Sequence, residues 1–403
     1  MNKEMMLMLR KKYGEAFYVL DIERFENNFK ELKTAFKSIY TNFNIAYSFK
    51  TNYIPKICES VMKQGGYAEI VSEMELQLAE KIGFDYSRII WNGPIKEMGI
   101  LQEYILKGGT VNIDSYEEFT VLKSIAEKVN NKVINLGIRC NFDIGDGTIS
   151  RFGIDVESKE FAKMICEILD NTNMKISSLQ CHFANRQIDY WEKRTQKIIS
   201  LLKEYQLKPD RIDLGGGLYG KMKDELKSQF KCKIPNYSEY ANCIAPLFRA
   251  YCESVNIKPE LIIEPGTALV GDCMEFVGTV KAIKTVRGKC FITILGSQKN
   301  INMTGINPPI EIFNINDEQV EVNDADIVGY TCIEGDLLYK GYKGSIGIGD
   351  MIAFSNCGSY SVVMKPPFIL PNFPIVSISS DNKDTLIKRK ESFNDIFYTY
   401  TFS

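Results

Sequence analysis

The stretch GYAEIVSEMELQLAEKIGFDYSRIIWN, residues 66–92, reads as a strand, a helix and a second strand. Gly66–Ser72 and Arg88–Asn92 (RIIWN) are short apolar runs, whereas Glu73–Lys81 carries its apolar residues at helical spacing. The alternation extends in both directions. Asn44–Lys50 (NIAYSFK) precedes it, and Thr110–Asp114 (TVNID), Asn135–Cys140 (NLGIRC), Ser177–Phe183 (SSLQCHF), Arg211–Gly215 (RIDLG) and Glu260–Glu264 (ELIIE) follow, with Ser158–Leu169 another amphipathic segment. Eight strands alternating with helices is the count of an α/β (β/α)8 TIM barrel. A doubly wound open sheet shares this texture, because strand order is not written in the sequence.

After Pro265 helical periodicity nearly vanishes, and valine, isoleucine, threonine and glycine dominate Phe276–Ile283, Cys290–Ile294, Ile310–Ile315 and Met351–Phe354. Such a texture predicts a C-terminal all-β domain, a β-barrel or sandwich, with turns at glycine-rich points such as Gly344–Gly349. Phe17–Leu20 (FYVL) is strand-like and precedes the barrel pattern, so it is expected to join that domain. The expected division is a barrel over residues 24–265 and a β domain made of 1–23 and 266–403.

A chain of 403 residues has room for two domains. Its 45% hydrophobic and 25% charged content is that of a soluble globular protein, and a formal net charge of −2 argues against bulk attraction to nucleic acid or to an anionic membrane. Eleven cysteines, scattered singly from Cys58 to Cys357 without a CxxC pair, argue for reduced thiols in the cytoplasm rather than a disulfide frame. MNKEMMLMLRKKYG lacks the apolar run of a signal peptide, and no stretch approaches the roughly 20 apolar residues of a membrane span. His182 is the single histidine, which removes HExxH zinc sites and multi-histidine metal centres; no metal is expected.

In a barrel, reactive groups gather at the C-terminal ends of the strands. Those ends carry Lys50, Glu69 with Ser72, Asn92, Asp114, Arg139, His182 with Asn185, Gly215–Gly217 and Glu264. Lys50 ends an apolar strand; turned into the mouth and partly desolvated, it would have a lowered pKa and serve as a Schiff-base nucleophile, although a snorkelling strand-end lysine looks the same. DLGGG (213–217) offers exposed N–H groups that can cradle a phosphate, and a purely structural glycine turn has the same sequence. A lone His182 is equally compatible with a satisfied, half-buried ring.

Taken together and in order, these motifs resemble the fold-type III pyridoxal-phosphate decarboxylases, the diaminopimelate and ornithine decarboxylase group with the alanine-racemase-like fold. AYSFKTN (46–52) is similar to that family's A-x-K-A-N segment, GYAEIVSEMEL (66–76) to its aspartate-containing strand with Glu69 in place of the aspartate, and SRFGI (150–154) to S-K-F-G. CHFAN (181–185) resembles H-x-G-S, DLGGG the phosphate loop, EPGT (264–267) the EPGR motif, CIEGD (332–336) the C-E-S-x-D segment and CGSY (357–360) the G-A-Y segment. The resemblance implies pyridoxal 5′-phosphate as cofactor. It makes Lys50 the residue that holds it, His182 the ring-stacking side chain and Glu264 the partner of the pyridine nitrogen. Glu69, Arg139, Asn185, Gly215, Gly216, Gly217, Gly266, Thr267 and Tyr360 complete the expected cofactor site. Cys332, Ile333, Glu334 and Asp336 are expected at the substrate, reaching it from the second subunit of a homodimer with shared active sites, and Cys332 is expected to donate a proton.

The implied reaction is removal of the α-carboxylate of an amino acid or amino-acid conjugate, with that small molecule as the binding partner and neither nucleic acid nor membrane. The glutamate at the ring nitrogen ranks decarboxylation above an amino-acid racemase or epimerase, whose relatives on this fold carry arginine there. Retention of Lys50, His182, Glu264 and Cys332 together speaks against a non-catalytic, partner-binding relative, and the β-domain motifs are foreign to a metal-dependent or sugar-phosphate barrel enzyme. Three departures stand out. Thr267 replaces the arginine of EPGR, removing a fixed positive charge. Ala184 and Asn185 replace the glycine and serine of H-x-G-S, Asn185 keeping an amide that could donate to phosphate. Ile333 follows Cys332 where the family has an acidic residue; read as a strand, the segment turns the displaced Glu334 to the opposite face. These changes predict a substrate other than free ornithine, arginine or diaminopimelate, such as a decorated amino acid from a specialised pathway.

Overall fold

Ser72, two residues past the first strand of that opening stretch, caps its helix, Glu73–Ile82, by accepting the Glu75 N–H; Gly83, at φ +99°, closes the helix in the left-handed region. The computed structural model describes residues 2–129, 132–303, 305–315 and 317–402. The chain forms two compact units, one of Glu26–Tyr219 with Cys232–Ala268, the other of Met1–Phe25, Gly220–Lys231 and Leu269–Ser403.

The first strand, β1 (Ala16–Leu20), belongs to the second unit. The first unit is a ring of eight parallel strands: β2 (Phe43–Ser48), β3 (Tyr67–Ile70), β4 (Ile89–Trp91), β5 (Thr110–Ile113), β6 (Ile134–Asn141), then, past the two-residue β7 (Ile154–Asp155) on the end of β6, β8 (Met174–Gln180), β9 (Arg211–Asp213) and β10 (Glu260–Ile263). Pairing of β10 with β2, Ile262 opposite Asn44, closes the ring, so the open-sheet alternative is excluded. The strands β2 to β5 are buried along their whole length, as parallel strands covered by helices on one side and barrel side chains on the other must be. Helices lie between successive strands, among them Ile188–Glu204 and Tyr237–Ser254.

Every expected barrel strand is present, but most end earlier than the sequence indicates. Lys50 lies in a 3-10 turn, Phe49–Thr51, and His182 lies two residues beyond β8. The chain leaves the hydrogen-bonded ladder where its polar side chains turn to the barrel's C-terminal face.

The second unit is built on one mixed nine-stranded sheet. β1 pairs with β11 (Met274–Val286) and, in parallel, with β17 (Ile375–Ile378); β12 (Lys289–Ile294), β13 (Ile310–Phe313), β14 (Val320–Val328), β15 (Leu337–Ile346), β16 (Met351–Phe354) and β18 (Asp384–Lys388) complete it. Phe17–Leu20 therefore joins this sheet as expected. The unit is not wholly β. Helix Lys3–Tyr13 packs Met6 and Leu9 against Phe17, Val19, Val277, Met351 and Val376, a face the sheet alone would leave exposed. Gly344 lies inside β15, and the turn is made by Gly347–Asp350, whose Asp350 carboxylate accepts the Gly347 N–H. All eleven cysteines are free thiols. Among the described residues no helix is long and apolar enough to cross a membrane.

Candidate active site

Phe49 and Thr51 are buried on either side of Lys50, which fixes the turn and leaves the lysine side chain about a third exposed at the barrel mouth. Its Nζ meets Glu69 Oε2 at 2.5 Å, and Ser48 Oγ donates to the same oxygen. Glu69 projects from β3 with no exposed side-chain surface. Asn92, one residue past β4, joins two carboxylates: its Nδ2 donates to Glu69 Oε1 at 3.1 Å and to Glu264 Oε1, while its Oδ1 accepts from Asn112 at 2.6 Å. Gln180, the last residue of β8, donates to Glu264 Oε2 at 3.2 Å. Lysine, two glutamates and an asparagine from four strand ends thus form one hydrogen-bonded chain. Lys50 therefore faces a buried carboxylate at the barrel mouth.

The floor holds a third carboxylate. Asp213 is 1% exposed; its Oδ1 accepts the Gly215 N–H at 2.9 Å, and its carboxyl shares a hydrogen bond with that of Glu264. Burial raises the Glu264 carboxyl well above the ordinary range, and Asp213 and Glu69 nearby raise it further. Burial likewise pushes Asp213 up to about 7. Glu69 moves the other way: burial opposes ionisation, but Lys50 and the hydrogen bonds from Lys50, Ser48 and Asn92 outweigh it. Two of the three buried carboxyls are thus held towards their protonated form, and Glu69 carries the negative charge that faces Lys50.

His182 is half-buried, and its Nδ1 accepts the Gly216 N–H at 3.0 Å, which fixes that nitrogen as unprotonated. Burial depresses its pKa well below 6.5, with Lys50, Arg139 and Arg194 adding to the effect, so the ring is neutral. A Cβ on Gly216 would stand 2.6 Å from the Glu264 carbonyl and 3.3 Å from His182 Cε1; glycine lets the imidazole lie against the loop. Gly266 is required similarly, since a Cβ there would stand 2.0 Å from Thr51 Oγ1. Thr267 begins the short helix Thr267–Val270.

Two expected cofactor contacts are engaged elsewhere. Arg139 binds Asp114 at 3.0 Å and stacks over Phe152, its centroid 4.8 Å away. Asn185 donates to Asp146 at 3.3 Å and accepts the Gln187 N–H at 3.1 Å, closing its own turn. In the second unit, Cys332, Ile333, Glu334 and Gly335 are exposed on a turn rather than a strand, so the alternation argument that separated Ile333 from Glu334 does not apply. Asp336, expected at the substrate, is buried inside this turn, where Oδ1 accepts from Gln298 N at 2.7 Å and Oδ2 from Thr331 N and Oγ1 at 3.2 and 2.5 Å. Tyr360 holds φ +59°, a left-handed conformation that is costly for so bulky a residue.

The sequence reading gave no role to Gln180, Asp213 or Arg194. The first two lay inside quoted strands. Arg194 gave no signal, because its role depends on which loops helix Ile188–Glu204 lies under. It is fully buried and donates to the carbonyls of Leu214, Gly216, Phe183 and Asn185.

These features fit pyridoxal phosphate. The buried Glu264–Asp213 carboxyl pair can ionise against a cationic ring nitrogen, Lys50 stands beside Glu69 at the same strand ends, and the loops 182–186 and 215–217 present backbone N–H groups suited to a phosphate. A family model described as pyridoxal-dependent decarboxylase, pyridoxal binding domain, matches residues 22–271, more than half of the chain. The chain belongs to this pyridoxal-dependent decarboxylase family. It is 26% identical to the diaminopimelate decarboxylase of Aquifex aeolicus, across 96% of this chain and 92% of that protein, and 25% identical to that of Methanocaldococcus jannaschii, across 96% and 91%. A crystal structure of diaminopimelate decarboxylase from M. jannaschii shares the fold with TM-score 0.85 at 23% identity, covering 98% of this chain and 94% of that one. Lysine/ornithine decarboxylase from Vibrio vulnificus follows with 0.77 at 15% identity, covering 94% and 98%. As a member of the family the chain is an amino-acid decarboxylase with pyridoxal phosphate as its cofactor, and decarboxylation, not the racemisation kept open above, is its reaction.

Proposed function

We propose that this decarboxylase removes the α-carboxylate of a modified amino acid, with Lys50 as the residue that carries the cofactor. The observation that supports this most is the continuous chain Lys50–Glu69–Asn92–Glu264, which ties Lys50 to the carboxylate suited to a ring nitrogen. When bound, pyridoxal phosphate supplies an electron sink for the pair left behind by departing carbon dioxide. Glu264 would keep the ring nitrogen protonated; Glu69 orients Lys50 and balances its positive charge. The neutral imidazole of His182, pinned through Nδ1 to Gly216, would cover one ring face and exclude water. The glycine loop and the 182–186 loop would hold the phosphate.

Residues 24–265 form the cofactor-binding part, while 1–23 and 266–403 supply the dimer contacts. In the cytoplasmic homodimer, Cys332 and Tyr360 of one subunit complete the site of the other, and Cys332 Sγ returns a proton to the carbon that lost carbon dioxide. The exposed Ile333 takes the place of an acidic contact, which favours a substrate whose distal end is neutral or conjugated.

A second reading, meso-diaminopimelate, is favoured by the names of the relatives at about 25% identity over nearly their full length. Mass spectrometry of the purified enzyme with a panel of free and conjugated amino acids separates the two. Carbon dioxide loss from a conjugate, with negligible turnover of meso-diaminopimelate, ornithine and arginine, is expected. Rapid turnover of meso-diaminopimelate would establish the second reading instead.

A further inference from the structure

Arg194 stands in the middle of helix Ile188–Glu204 with none of its surface exposed, its guanidinium 3.9 Å above the Trp191 ring centroid. It donates four hydrogen bonds, Nη1 to Leu214 O at 3.2 Å and Gly216 O at 2.8 Å, Nη2 to Phe183 O at 3.3 Å and Asn185 O at 3.1 Å. Trp191 Nε1 adds Gly217 O at 3.0 Å. One helix face therefore gathers the carbonyls of both loops that flank the site.

Two consequences follow. First, in a planar trans peptide the N–H points opposite to the C=O. Binding those four carbonyls from below turns the N–H groups of Ala184, Arg186, Gly215 and Gly217 away from Arg194. Gly215 donates to Asp213 Oδ1; the other three have no acceptor among the described residues. Secondly, all four acceptors of Arg194 are neutral carbonyls, and among the described residues no carboxylate lies within ion-pair distance of it. Burial lowers its pKa only to about 10, so the charge persists at neutral pH. A buried cation without a counterion is unfavourable unless an anion approaches, and the three N–H groups mark where it would.

We propose that Arg194 is the positioning residue of the phosphate site, acting from behind the loops: it orients their N–H groups and supplies the fixed positive charge that Thr267 does not. The inference rests on the cofactor reading above. A lysine at 194 would keep the charge but not the planar fork that bridges two loops.

The test uses the full-length protein stripped of cofactor and titrated with pyridoxal phosphate, with pyridoxal, which lacks the phosphate, and with inorganic phosphate as competitor. Arg194→Gln is expected to weaken pyridoxal phosphate binding by about 30-fold and pyridoxal binding by less than about threefold, with competition by inorganic phosphate lost as well. Arg194→Lys should fall between. Equal weakening of both ligands, as a merely structural residue would give, or no weakening of either, overturns the proposal while leaving the cofactor reading intact. If Arg194→Gln does not fold, the same comparison on Arg194→Lys decides. Wild-type protein that binds neither pyridoxal phosphate nor pyridoxal would instead defeat the cofactor reading itself.

Discussion

Glu264 and Asp213 share a buried floor, and burial makes each hold its proton where an exposed acid would have lost it. An unfolded aspartate ionises near 3.8, and Asp213 in the native chain near 7. Between those values the native state binds more protons than the unfolded state, so lowering the pH across this window stabilises the fold, and the penalty is complete above about 7. Cofactor-free wild-type protein should therefore lose thermal stability between about pH 5 and pH 7 relative to Asp213→Asn, whose slope should be flatter across the window; parallel melting curves would contradict this. Glu264→Gln removes the carboxyl proposed to ionise against the ring nitrogen without removing its volume. Its kcat is expected to fall by about 100-fold with cofactor still bound, as seen when a single charge-stabilising group is lost. A kcat within threefold of wild type would take Glu264 out of the mechanism.

At the scale of elements, the two loops at the ends of β8 and β9 carry the proposed phosphate part of the site. Gly216→Ala would push a Cβ against the Glu264 carbonyl, a backbone atom that cannot rotate away, and against His182. A destabilisation of about 1–3 kcal/mol is expected, together with weaker cofactor binding; unchanged melting would mean the loop relaxes freely. The barrel was legible because its strands are short, apolar and regularly interrupted by helices, and Lys50, His182 and Glu264 were legible because they sit just past strand ends. Ring closure was not legible, since only the pairing of Ile262 with Asn44 reveals it. Nor was the bridging role of Asn92, which depends on three strands converging, or that of Arg194, a charged residue on a helix that the sequence alone would place in solvent. The 332–336 segment misled because Asp336 folds its carboxylate back into a turn, so strand alternation did not govern it.

At the scale of the whole molecule, the proposed dimer makes each site composite. Lys50→Ala and Cys332→Ala homodimers should each be inactive or nearly so, yet mixing them under subunit exchange should restore about a quarter of wild-type activity, through the one intact site of each heterodimer. No recovery would contradict a shared site. The central claim is narrower and applies to each chain: the cofactor is attached at residue 50. Borohydride reduction of the cofactor-loaded enzyme, followed by peptide mass spectrometry, tests it directly. The expected result is a single pyridoxyl-phosphate adduct on the peptide containing Lys50, absent in Lys50→Ala; an adduct on any other lysine, or none in protein that binds the cofactor, would contradict it.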